Sequence, residues 1–217
     1  ISKFVKLPTL QRPDFNASQV PKLWINRDDA LTLESIQRYL PGKRLVFFSL
    51  WQHQPVLVKL FWNFGHRRYS QREQKGYNLL IEAGIATPEL LYQCQQETYS
   101  LLIYARLDGA QTLAQLTRDH LSQQQLTQVV TLLANMHNQQ LQQVDMHLAN
   151  FLYCQNALWV IDTDGVRKTM SRSSLQANFL TLLAQFQPQD QLLLQQCLLL
   201  YTELTQQQWS MAQASLA

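Results

Sequence analysis

The chain has 217 residues, 46% of them apolar and only 15% charged, with a formal net charge of +3. That apolar share supports a packed core, in one domain or two small lobes, and excludes a disordered chain. The charge is too small for polyanion binding to be read from it, so no nucleic-acid partner is expected.

In chain order, residues 1–41 are punctuated by Pro8, Pro13, Pro21 and Pro41, which predicts extended segments and one short helix. Leu45–Trp51 and Val56–Trp62 are β-rich runs separated by Gln52-His53-Gln54-Pro55, the pattern of a hairpin. Ser70-Gln71-Arg72-Glu73 fits the S-x-x-E capping box, and Tyr77, Leu80 and Ile81 carry an apolar stripe to a stop at Gly84. Leu90–Cys94 and Tyr99–Tyr104 read as a second hairpin after Pro88. The block is therefore β-β-α-β-β, an antiparallel sheet with one helix.

Beyond Leu107-Asp108-Gly109 the character changes. Leu113–Leu116 and Leu121–Met136 read as helices from their three- and four-residue leucine and valine spacing. A polar stretch, Asn138–Asn150, leads to two short β runs, Phe151–Cys154 and Leu158–Ile161, and the remainder from Leu175 to about Ala214 reads as helical. The expected organisation is α+β and bilobal: residues 1–105 as a sheet-rich lobe and 106–217 as a mainly helical lobe.

Cys94, Cys154 and Cys197 are scattered, odd in number and without a C-x-x-C pair. They imply buried thiols in a reducing compartment, not a disulfide framework or a zinc site. No apolar run approaches the roughly 20 residues of a membrane helix, and no secretory h-region opens the chain, so a cytoplasmic protein is expected.

The segment richest in chemistry is Val144-Asp145-Met146-His147-Leu148-Ala149-Asn150, followed by a hairpin and by Asp162 directly after the run Leu158–Ile161. Phosphoryl transfer needs such a set near one point. One carboxylate orients the acceptor hydroxyl and takes its proton, while an amide oxygen and a second carboxylate hold Mg²⁺ against the phosphates. Either residue of D-x-x-x-x-N could instead cap a turn, and the added Asp162 is what favours the catalytic reading. Asp164 offers a second carboxylate in Asp162-Thr163-Asp164-Gly165, as a supporting or turn residue. Lys59 lies on the second strand of the first hairpin, as a phosphate-binding cation or as an exposed strand lysine. Glu73 is either its carboxylate partner or a helix cap. His137 and His147 read as neutral packing residues, the five tryptophans as packing residues, and the basic run His66-Arg67-Arg68 with Arg72 and Lys75 as a solvated face or a contact for anionic headgroups.

These residues fall in protein-kinase-like order, and the chain resembles the bacterial lipopolysaccharide core kinases, the Kdo kinases with the related heptose kinase and InaA proteins. Val144–Leu152 is similar to their H-x-D-L-H-x-x-N-(F/I)-L loop, Ile161–Arg167 to the segment ending their metal-binding strand, and Leu175–Leu183 to their C-terminal N-L-x-R-L helix. The resemblance runs from about residue 45 to 200. It implies a bilobal fold, ATP and Mg²⁺ as cofactors, and a sugar hydroxyl of the lipopolysaccharide core or a lipid A precursor as acceptor. Peripheral contact with the inner face of the inner membrane belongs to the same expectation. By position it implies Asp145 as catalytic base, Asn150 and Asp162 on metal, Lys59 on phosphate with Glu73 beside it, and Tyr104-Ala105-Arg106 as the adenine-reading hinge. Two departures stand out: Gln143 occupies a place where the family usually has histidine, and no G-x-G-x-x-G precedes Lys59. A protein or another small molecule as acceptor, and a pseudokinase scaffold, are the competing readings.

Overall fold

The computed structural model describes residues 23–25, 29–117, 121–186 and 191–206. The short helix expected near the N-terminus, the tail beyond residue 206, the Trp24 side chain and Trp209 lie outside what is described. The chain divides into two compact units, residues 1–71 with 88–107 and residues 72–87 with 108–217.

The first unit is built on an antiparallel sheet in the order β1-β2-β3-β4-β6-β5, from β1 (Leu23–Trp24), β2 (Ala30–Leu40), β3 (Arg44–Trp51), β4 (Gln54–Trp62), β5 (Leu90–Gln95) and β6 (Tyr99–Ala105). Strands β3 and β4 form the expected hairpin, closed by two left-handed residues, Gln52 and His53, with Gln54 and Pro55 already in β4. A two-residue turn with both φ values positive matches the twist of the strands it joins, which explains the tightness. Alternation along β4 sends Val56, Val58, Leu60 and Trp62 into a core with Leu31, Leu45, Phe47, Leu101 and Ile103. Trp62 is fully buried and stacks on Tyr39 at 6.3 Å between ring centroids, a packing role as expected. Strand β2 is the part of the sheet that Pro-punctuated residues 1–41 concealed.

Helix α1 (His66–Glu82) straddles the division between the units. It begins four residues before the S-x-x-E signature, which corrects the predicted start. Ser70 is therefore inside the helix, where its hydroxyl donates back to the Arg67 carbonyl at 3.1 Å. The predicted stop holds: after Glu82 the Gly84 and Ile85 amides donate to the carbonyls of Ile81 and Leu80, with Gly84 at φ +67°.

The second unit holds α2 (Leu113–Leu116), α3 (Gln123–Asn138), α4 (Arg172–Leu183) and α5 (Gln191–Thr205), with two small sheets. Ser122 caps α3 through a reciprocal box with Gln125. One sheet joins β7 (Gln111–Thr112), β9 (Phe151–Cys154) and β10 (Ala157–Val160); the other pairs β8 (Leu141–Gln143) with β11 (Val166–Lys168). The predicted hairpin 151–161 is thus β9–β10, and the region expected to be helical after Leu175 holds α4 and α5. Leu126, Val129, Val130 and Leu133 of α3 pack with Phe151, Val160, Phe179, Leu182 and Tyr201 in a single core. Cys94, Cys154 and Cys197 are all free thiols.

Candidate active site

In the second unit, β8 ends at Gln143 and the chain turns out to Asp145, then back through a 3-10 turn at Leu148–Asn150 into β9. The Asn150 side-chain amide donates to the Asp145 carbonyl at 2.8 Å, which closes this loop on itself. Its nitrogen being spent there, the Asn150 amide oxygen is the atom left to act as a ligand. The Ile161 amide donates to the Asn150 carbonyl at 2.8 Å, so the residue before Asp162 is bonded to the end of the Asp145 loop. From the other side the Val144 amide donates to the Gly165 carbonyl at 2.9 Å. These backbone bonds tie the 144–150 loop to the 161–165 segment on both sides of the hairpin.

Asp145 is exposed, with His147 beside it: Nε2 lies 3.1 Å from Oδ1, each side chain about two-thirds exposed (65% and 66%). The expectation of a packing histidine is wrong for His147, whose position two residues after Asp145 brings it alongside the carboxylate. It is right for His137, buried on α3, where burial pushes its pKa down to about 4 and keeps the ring neutral.

Asp162 adopts a left-handed backbone, φ 56° and ψ 57°, which an aspartate tolerates better than most residues. Its carboxylate, that of Asp164 and that of Glu73 lie with one ligand oxygen each within 4.8 Å of one another. Glu73 is almost wholly buried (1% exposed), and the Thr163 hydroxyl sits at 2.8 Å from its carbonyl and 3.2 Å from its Oε1. That bond ties α1 to the Asp162 segment, and Gly76 makes it possible. A Cβ on Gly76 would sit 1.7 Å from the Thr163 carbonyl oxygen. Arg72 donates to the Asp164 carbonyl at 3.4 Å, with Nη2 4.0 Å from Oδ2. Glu73 is accordingly a mid-helix residue of a carboxylate cluster, not a helix cap. This membership was invisible in sequence, since Glu73 and Asp162 are far apart along the chain. Three carboxylates are an all-oxygen donor set, which fits a hard divalent cation such as Mg²⁺.

In the first unit Lys59 is buried (7% exposed), not the exposed strand lysine that was the alternative. It pairs with Leu102 across β4–β6, and its ammonium lies 5.6 Å from the centroid of the Tyr104 ring. The Ala105 and Arg106 amides donate to the carbonyls of Glu89 (2.8 Å) and Pro55 (3.2 Å). The Arg106 guanidinium pairs with Glu34 at 2.6 Å and sits 5.1 Å over the Phe48 ring, so this side chain is committed to the sheet.

Gln143, marked in sequence only as a departure from the expected histidine, is fully buried and donates from Nε2 to the Asp162 carbonyl at 3.1 Å.

The pattern described as "Lipopolysaccharide kinase (Kdo/WaaP) family" matches residues 54–214, most of the chain. Among solved structures, the chain is similar to the one titled "WaaP in complex with acyl carrier protein", with a TM-score of 0.62, 17% identity and 79% of each chain covered. At that identity the likeness carries the fold. No curated protein matches the chain. Among the described residues no helix is long and apolar enough to cross a membrane.

Proposed function

We propose that this chain, which belongs to the lipopolysaccharide kinase (Kdo/WaaP) family, transfers the γ-phosphoryl group of ATP to a sugar hydroxyl of the lipopolysaccharide core, Kdo or heptose. The observation that carries the reading is the closure of the Asp145 loop onto the Asp162 segment through Asn150, Ile161 and Gly165. A base and two metal-binding groups held in fixed relation are what phosphoryl transfer requires, because catalysis here is positioning and electrostatics.

Asp145 orients the acceptor hydroxyl and takes its proton as the new P–O bond forms and the bond from the γ-phosphorus to the β,γ-bridging oxygen breaks, with ADP as the leaving group. His147 holds one oxygen of that carboxylate, which leaves the other to face the hydroxyl. Asn150 and Asp162 hold Mg²⁺, with Asp164 and Glu73 adding negative charge to the same cluster. Bound there, Mg²⁺ supplies charge neutralisation of the phosphates. Lys59, buried in an apolar strand, serves as a point charge for the α- and β-phosphates. The Tyr104–Arg106 segment reads adenine with backbone groups other than the Ala105 and Arg106 amides, which are already bonded. Arg67 and Arg68, both exposed at the start of α1, supply positive charge for anionic headgroups when the acceptor is in a membrane.

The test is mass-spectrometric detection of added phosphate on purified core acceptors ending in Kdo or in heptose. Wild-type protein with Mg·ATP is expected to modify one of them, and Asp145→Ala to lose about a thousandfold in rate while still binding nucleotide. Full activity in a folded Asp145→Ala protein would sink the mechanism.

A further inference from the structure

We propose that Gln143 is a positioning residue for Asp162, and that a buried polar chain reaching back to Tyr201 on α5 fixes Gln143 in turn. The inference rests on the reading of Asp162 as a metal ligand. Asp162 needs such a support because its backbone is left-handed. Gln143 provides it. Its Nε2 donates to the Asp162 carbonyl at 3.1 Å, and its amide lies against Gly165, where a Cβ would meet Oε1 at 2.0 Å.

Gln143 is itself held from behind. Asn178 on α4 donates from Nδ2 to the Gln143 carbonyl at 2.7 Å. A carbonyl only accepts, so the orientation of the Asn178 amide is fixed, and its Oδ1 faces His137 Nε2 at 3.3 Å. That nitrogen must carry the ring proton. Because burial keeps His137 neutral, Nδ1 then holds a lone pair, and the Tyr201 hydroxyl donates to it at 2.6 Å. The direction of each of the four bonds linking Tyr201, His137, Asn178, Gln143 and Asp162 is thereby assigned, all pointing towards Asp162. Tyr201 cannot slip, since its ring is fully buried and stacked on Phe179 at 3.9 Å. An apolar filling of the same space would stabilise the fold at least as well. What the polar chain adds is direction, at the one backbone position that aims the Asp162 carboxylate.

The experiment is a Mg²⁺ titration of nucleotide binding by the full chain, with metal-free nucleotide affinity and melting temperature measured beside it. Gln143→Met keeps the length and removes the donor. It is expected to raise the half-saturating Mg²⁺ concentration about tenfold, the scale on which supports of metal ligands act, with metal-free nucleotide affinity unchanged. Gln143→His, which returns a ring N–H donor, is expected to recover most of that loss, as a merely structural role would not. Tyr201→Phe removes one oxygen and is expected to shift the titration the same way by less. A folded Gln143→Met protein with wild-type Mg²⁺ dependence overturns the inference; if that variant does not fold, an unchanged titration in Tyr201→Phe does so instead. Asp162→Ala separates the two layers. Loss of Mg²⁺ dependence there beside an unchanged Gln143→Met overturns the positioning role alone, whereas unchanged Mg²⁺ dependence in Asp162→Ala overturns the metal-site reading with it.

Discussion

The sheet core of the first unit and the carboxylate cluster of the second are held together by different means. In the first unit Val56, Val58, Leu60 and Trp62 of β4 pack with Leu31, Leu45, Phe47, Leu101 and Ile103. Around Glu73 the second unit places polar partners, the Thr163 hydroxyl and two further carboxylates, with its helix pressed onto the Thr163 backbone. The first arrangement needs only the right apolar volume on each side of a strand. The second needs individual donors, acceptors and one missing side chain. A sheet core tolerates volume-conserving change, whereas a polar cluster at close approach does not.

The largest expected break in that contrast is Gly76→Ala. The new Cβ would collide with backbone, not with a yielding side chain, so a loss of about 3 kcal/mol or more is expected in denaturant unfolding of the whole chain. By comparison, Val58→Ala in the sheet core leaves a cavity and is expected to cost about 2 kcal/mol. Equal tolerance of alanine at Gly76 would erase the distinction between the units.

Acid sharpens it further. His137 has a folded pKa near 4 against 6.5 when unfolded, so between these values the unfolded chain binds the extra proton. Its contribution is complete above pH 6.5 and falls as pH drops towards 4, by about 3 kcal/mol in all. His137→Gln removes the titrating group, and its melting temperature is expected to fall less than the wild-type value between pH 7 and 4.5. Parallel pH profiles would refute the role of that ring. The smallest effect belongs to the half-buried Arg106–Glu34 pair, where Glu34→Gln is expected to cost under about 1 kcal/mol.

The same contrast explains what the amino-acid order disclosed. Strands β3 to β6 and the β9–β10 hairpin were legible because alternation and turn residues are local signals. So was the end of α1 at Gly84. Its start was not: the first turn, His66 to Tyr69, is polar and basic, and the S-x-x-E spacing lies inside the helix. Strands β8 and β11, three residues each, carry too little pattern to read. In the candidate site, Asp145, Asn150 and Asp162 stood out because they are near one another along the chain. Glu73 beside Asp162, Thr163 under α1, and Gln143 bonded to the Asp162 carbonyl depend on pairings between residues 19 to 90 apart, which no local signal records.

The central claim is that Asp162 belongs to a Mg·ATP site, and a thermal shift of wild-type protein and Asp162→Ala with nucleotide, with and without Mg²⁺, tests it most directly. A ligand that binds only the native state must raise the melting temperature once its concentration exceeds its dissociation constant. A Mg²⁺-dependent rise in the wild type that vanishes in Asp162→Ala is the predicted result. No rise at millimolar nucleotide, or an equal rise in the variant, would contradict it.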